Sequence, residues 1–165
     1  MAQVAPMRKL HQEYQGQGVQ FLLVYVREPH PGEGVPAHGS YEQKVSHACR
    51  LRDVEKVSVP ILVDTLEGAA HNAYGTLPNA CYIVDRQGII VFKAQWTDAV
   101  EVGFALKELF LREERLARGY DLKEGYIEKM HFPPRDLPER DRVLGRGGAK
   151  SVADWEAIHG RIKKL

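Results

Sequence analysis

The sequence predicts a mixed α/β fold, on three observations. Apolar runs of strand length alternate with amphipathic stretches of helical period. The strongest run, Phe21-Leu22-Leu23-Val24-Tyr25-Val26, ends abruptly in a turn dense in Pro and Gly. Two later apolar runs flank a short segment with Gly at its end, a hairpin signal.

Residues 3 to 15 read as a helix, with Val4, Met7, Leu10, His11 and Tyr14 at three- and four-residue spacing, ended by Gly16 and Gly18. The strand from Val19 to Val26 follows, and its consecutive β-formers suit burial on both faces, as in the centre of a parallel sheet. A loop runs from Pro29 to Gly39. Ser40 or Tyr41 then opens a second helix to about Val54, with Val45, Ala48, Cys49 and Leu51 inward. Val59 to Asp64 is a short strand, and Pro60 near its start suits an edge. Glu67 to Tyr74 is a short helix. Cys81 to Asp85 and Ile89 to Lys93 flank Arg86-Gln87-Gly88 as a hairpin. Residues 99 to 118 form a long amphipathic helix through Val102, Ala105, Leu106, Leu109 and Phe110, stopped by Gly119. The order is unusual in one respect: the chain opens on a helix with no strand before it.

Composition narrows the function. A net charge of +1 gives no bulk electrostatic case for nucleic acid or an anionic membrane. The longest apolar run falls far short of the ~20 residues of a membrane span, and no signal-type apolar region follows Met1. A cytoplasmic location is therefore expected, with an anchor upstream of Met1 left open. The two cysteines, Cys49 and Cys81, form no CxxC and have no metal-ligand spacing, so neither a disulfide scaffold nor a metal site is expected. Cys81 reads as a small buried hydrophobe in its strand, and Cys49 as a packed helix residue.

The chemistry concentrates in the turn after the first strand, which carries Glu28 and His30 two residues apart. Ligands bind outside the carboxyl ends of strands in open α/β sheets. A His there handles protons near neutral pH, and a nearby Glu orients it. The plainer reading is a pair of solvated loop residues between Pro29 and Pro31.

These residues carry a resemblance. Tyr25-Val26-Arg27-Glu28-Pro29-His30 with Gly32-Glu33-Gly34, then Val63-Asp64-Thr65, Tyr74-Gly75-Thr76-Leu77-Pro78 and Tyr82-Ile83-Val84 keep the spacings of a known group over roughly residues 1 to 110. The chain resembles the iodothyronine deiodinases and their redoxin-like relatives in the thioredoxin superfamily. The resemblance implies a thioredoxin-like fold truncated at its N-terminus. In the family, an upstream strand leads into a turn bearing selenocysteine or cysteine, and this chain starts after that turn. The expectation is that Met1 lies just downstream of an unread UGA or cysteine codon, and that the chain as given is inactive.

The resemblance also implies residue roles. His30 would handle protons with Glu28 as its partner, and His47 on the next helix resembles a second family histidine if one residue of slippage is allowed. Thr76, Leu77 and Pro78 would bind substrate, with Pro78 in the cis form presenting the Thr76-Leu77 backbone. Two departures matter: Val35 stands where the family has Trp, and Asn79 and Ala80 replace an acidic and a basic residue after Pro78. Disulfide or peroxide reduction then fits as well as dehalogenation of an iodothyronine. The implied partners are a small-molecule or disulfide substrate and a thiol reductant as co-substrate, with no resident cofactor. The rival reading is a non-catalytic thioredoxin-fold binding module.

Residues 1–118 are read as the thioredoxin-like domain and 119–165 as a C-terminal extension of loop and terminal helix. Residues 131 to 148 are rich in Pro, Gly and Arg, and Gly145-Arg146-Gly147-Gly148 lacks the ending of a phosphate loop. Ser151 to Asp154 reads as a capping-box variant opening a helix. Val152, Trp155, Ile158, His159 and Ile162 form its apolar stripe, with Lys163 and Lys164 at its end. The expectation is an arm packed back on the domain, and a sharper reading gives Trp155 a homodimer contact. Nothing in the spacing of His131 and His159 fixes a metal geometry.

Overall fold

The alternation of helices and strands is realised as a mixed α/β fold. The computed structural model describes residues 3–120, 125–129 and 137–160. His131, Ile162, Lys163 and Lys164 lie outside the described residues, as do the side chains of Ile158 and His159. In chain order the elements are α1 (Val4–Tyr14), β1 (Leu23–Tyr25), α2 (Tyr41–Glu55), β2 (Ile61–Val63), α3 (Ala69–Tyr74), β3 (Cys81–Val84), β4 (Ile90–Ala94), α4 (Ala99–Ala117), β5 (Ile127–Lys129), α5 (Leu137–Gly147) and α6 (Ala149–Gly160). They fall into two compact units, one drawn from Met1–Pro78 and Arg135–Leu165, the other from Asn79–Pro134.

In the first unit, β1 and β2 pair in parallel, with Leu23 opposite Ile61 and Tyr25 opposite Val63. Backbone bonds from Leu23 N to the Pro60 carbonyl and from Asp64 N to the Tyr25 carbonyl extend the ladder at both ends. The expectation of a strand buried on both faces is corrected here. Leu22 and Leu62 are each 50% exposed and Val24 is 43% exposed, whereas Tyr25 is buried. Side chains alternate across a strand, so a sheet covered on one face leaves every second residue in solvent.

The start of α2 is as read: the Ser40 hydroxyl accepts from Gln43 N at 3.2 Å, an N-cap. Its inner face differs. Cys49 is exposed rather than packed, and Lys44 is 1% exposed beside the buried Ala48. Lys44 Nζ donates to the Thr65 carbonyl at 2.6 Å, which satisfies part of a charge that would otherwise be costly to bury.

The Pro- and Gly-rich stretch read as loop contains α5, the largest departure from expectation. Glu55, at the end of α2, accepts from Arg142 at 3.2 Å and from Arg146, while Glu139 holds Arg142 one turn back. The Glu55 side chain is only 8% exposed. Leu144 is buried on the same helix. These tertiary partners stabilise a helix that carries Gly145 in its last turn and ends on Gly147, which propensity alone disfavours. Helix α6 packs beside α5, with the Arg140 guanidinium 4.7 Å from the Trp155 ring centroid. Helices α5 and α6 thus belong to the first unit.

In the second unit, β3 and β4 form the expected antiparallel hairpin, with Cys81 opposite Ala94. The Asp85 carboxylate accepts from Gln87 N and Ile89 N at 2.9 Å, and Gly88 takes the left-handed φ of +85° that the turn requires. Strand β5 adds in parallel to β4, Phe92 opposite Ile127. It is three residues long, two of them charged, and carried no strand signal. Asp98 caps α4 through Val100 N and Glu101 N, and Phe92, Ala94, Val102, Ala105 and Leu106 are buried. Among the described residues, no helix is long and apolar enough to cross a membrane.

Because Glu55 is the anchor of α5, Glu55→Ala should lower unfolding free energy by about 1.5–3 kcal/mol, the range for hydrogen bonds to charged groups. Urea denaturation reads this. A loss below about 0.5 kcal/mol, the scale of an exposed ion pair, would show that α5 is held otherwise.

Candidate functional site

Strand β1 ends at Tyr25, whose ring is buried while its hydroxyl reaches two ionisable neighbours. The Tyr25 hydroxyl donates to Glu28 Oε2 at 3.5 Å and lies 3.3 Å from His38 Nε2. A phenol can donate to one and accept from the other, which requires the His38 tautomer protonated at Nε2. The His38 ring stands 5.5 Å from that of Tyr25 and 5.1 Å from that of His47. Glu28, Tyr25, His38 and His47 therefore form one continuous group. His47 Nδ1 is buried with no hydrogen-bond partner among the described residues.

Glu28 and His30 do meet, but through the backbone: the His30 N–H donates to the Glu28 carboxylate. At its other end, the His30 carbonyl accepts from Ser151 Oγ. Burial raises Glu28 above the ordinary carboxylate value, against the opposing pull of the bonds from His30 and Tyr25. Burial also raises the Tyr25 phenol, reinforced by the neighbouring Glu28 charge. His38 is lowered by burial, then by His47 and Lys44; His47 is lowered by burial, then by Arg50. Burial thus moves the Glu28 carboxyl up and both imidazoles down from their ordinary values.

Asp64 connects this group to the segment read as substrate-binding. It accepts from Thr65 N and Ala70 N at 2.8 Å and from His71 N at 2.9 Å, which seats the start of α3. Burial alone would raise its carboxyl, but these three N–H groups and Lys44 hold it below the usual range. Helix α3 ends at Gly75 (φ +105°) and Thr76 (φ +56°), where Thr76 N bonds back to the His71 carbonyl. Two left-handed residues in succession turn the chain into Leu77-Pro78. The expected cis bond at Pro78 is corrected: the peptide is trans, because Gly75 and Thr76 already make the reversal.

Both cysteines are free. Burial pushes the Cys81 thiol up to about 11, so it is a poor thiolate, whereas Cys49 faces solvent. No group of three or more His, Cys, Asp or Glu able to hold a metal is present among the described residues.

Sequence reasoning missed Tyr25, His38 and Ser151. Tyr25 reads from sequence only as part of the strand and of the Tyr25–His30 segment, with no chemical role of its own. His38 lies in a Pro- and Gly-rich loop with no periodicity to place it; its one cue is a position two residues before the Ser40 cap. Ser151 was read as the opening of a helix, but α6 is already running at Ala149, and the hydroxyl turns to His30 instead.

A family model described as "Iodothyronine deiodinase" matches residues 1–109. The thyroxine 5-deiodinase of Ovis aries is 28% identical over 142 residues, covering 81% of this chain and 43% of that relative. Those of Bos taurus and Homo sapiens are 29% and 28% identical over 102 residues, covering 56% of this chain and 33% of each relative. This chain spans less than half the length of these relatives. No solved structure matches.

The charge states predict a measurable pH response. Resolved by NMR, His38 and His47 should titrate below 6.5, and Glu28 above 4.5. Between the lowered folded values and 6.5, the unfolded chain binds more protons, so these histidines make stability fall as pH drops through that window. Glu28 acts oppositely, restoring stability as pH falls from its raised value through 4.5. Imidazole titration at or above 6.5 would contradict the buried arrangement.

Proposed function

The chain belongs to the iodothyronine deiodinase family, and from that premise we propose that it carries the proton-handling side of a thiol- or selenol-dependent oxidoreductase. The observation that carries this reading is the Tyr25 hydroxyl set between Glu28 and His38 at the carboxyl end of β1. Strand ends of this kind are where α/β folds bind ligands, and a thioredoxin-like arrangement supplies the frame.

In the proposed reaction, a cysteine thiolate or selenolate attacks the halogen of a carbon–halogen bond. The bonding electron pair stays on carbon, which takes a proton. The resulting sulfenyl or selenenyl halide is reduced by two thiols, releasing halide, a disulfide and the free nucleophile. Glu28, whose protonated form burial favours, is the proton donor; Tyr25 relays, and neutral His38 restores the donor from solvent. His30 holds the Glu28 carboxylate through its N–H and adds an imidazole at the turn, with His47 behind His38. Thr76, Leu77 and Pro78 form the rim for an extended or aromatic substrate. A disulfide or peroxide meets the same groups, its leaving sulfur or oxygen taking the proton. The reaction calls for a thiol co-substrate, no resident cofactor and no nucleic acid. A reducing compartment such as the cytoplasm would keep Cys49 and Cys81 free. Trp155, already stacked under Arg140, is the place to look for a homodimer contact.

In protein that turns over with a thiol reductant, Glu28→Gln and His30→Ala should each slow turnover by ~10²–10⁴-fold, the usual contribution of a general acid–base group. Tyr25→Phe should slow it by at least ~10-fold while leaving KM near its original value. Unchanged rates in Glu28→Gln would remove the assigned proton donor. Absence of turnover with halide, disulfide and peroxide alike would favour the non-catalytic binding module.

A further inference from the structure

We infer that the elbow between α5 and α6 is a socket for the Glu28–Gly34 turn, and that Ser151 is a positioning residue for the proton-handling group. The inference rests on the function proposed above for that group.

The turn meets the elbow at three points, and a fourth contact braces it from α2. The His30 carbonyl accepts from Ser151 Oγ, and Ser151 is 1% exposed. Gly34 N donates to the Gly147 carbonyl at 3.1 Å. Glu33 Oε2 accepts from Lys150 N at 3.4 Å, placing a carboxylate at the start of α6, where the helix dipole favours it. Arg50 from α2 donates to the Gly34 carbonyl at 2.6 Å from outside the elbow.

The glycines show how closely the two backbones approach. A Cβ on Gly32 would lie 2.0 Å from the Gly147 carbonyl oxygen, and one on Gly34 would lie 2.1 Å from that of Arg146. Gly148, at φ +91°, makes the bend between the helices, and a Cβ there would lie 2.4 Å from Glu33 Oε2. Gly32, Gly34, Gly147 and Gly148 are thus two halves of one backbone contact, more than 100 residues apart in sequence. A serine inside a helix usually bonds a carbonyl of its own preceding turn. Ser151 bonds His30 instead, so His30 is held at both ends: its N–H on Glu28 and its carbonyl on the elbow.

The consequence is directional. Without the Ser151 hydroxyl, His30 is free to rotate, and its N–H holds the Glu28 carboxylate less well. The other groups acting on Glu28 come from β1 and the loop, namely Tyr25 and, through it, His38.

The test uses this chain and its Ser151→Ala variant, with Ser151→Cys as a near-isosteric second variant should alanine fail to fold. Glu28 is titrated by NMR, and amide exchange is followed at Gly34. With circular dichroism unchanged, the Glu28 titration should move further upward and Gly34 exchange should accelerate by about tenfold, the effect of losing one hydrogen bond. A Glu28 titration unchanged in a folded variant, with Gly34 exchange altered less than twofold, would overturn the positioning role. Neither readout requires turnover, so a failure of the proposed reaction would show separately, as activity retained in Glu28→Gln.

Discussion

The parallel ladder of β1 and β2 ends in one backbone bond, from Asp64 N to the Tyr25 carbonyl at 3.1 Å, and the rest of the site is arranged around it. On one side of that bond the chain leaves β1 and turns through Glu28 and His30. On the other, the Asp64 carboxylate gathers three N–H groups and seats α3, which leads to Thr76, Leu77 and Pro78. Neither the Glu28–Tyr25–His38 group nor the Thr76–Pro78 segment has a position of its own. Both are referred to the same two strand ends, as expected where short parallel strands stop and their loops begin.

Buried charge does much of the remaining work in this unit, and three instances among the described residues are paired. Lys44 sits near Asp64 with its ammonium on the Thr65 carbonyl, Asp64 faces backbone donors, and Glu55 faces two arginines. Such groups contribute little net stability over an apolar core, but removing one partner leaves the other exposed to the full desolvation cost. They therefore specify which surfaces meet. Glu55 selects the docking of α5, and the docking of α5 brings the elbow at Gly147 to the Glu28 turn. Burial chiefly lowers His38, and His47 and then Lys44 add to it, so the buried cation at the strand ends is also felt in the site.

Much of the first unit and all of the hairpin were legible along the chain, because their signals are local. The Ser40 cap, the Asp85–Gly88 turn and the stripe through Val102, Ala105 and Leu106 each depend on residues within one or two turns. The misreadings share the opposite property. Helix α5 forms against its own glycines because Glu55, far earlier in the chain, holds its arginines. Cys49 and Lys44 exchange the expected inside and outside because Thr65 offers a carbonyl to the ammonium. Pro78 remains trans because Gly75 and Thr76 complete the reversal before it.

The sequence by itself determined the α/β class, the order of elements through α4 and a turn bearing Glu28 and His30, since period, caps and turn residues act over short distances. It also carried the resemblance that the family match bears out. Only the tertiary structure decided that Glu28 answers to Tyr25 and His38, and that His30 is held by Ser151 from the far end of the chain. Contacts of that kind depend on which surfaces pack together, and a linear pattern of polar and apolar residues does not encode that pairing.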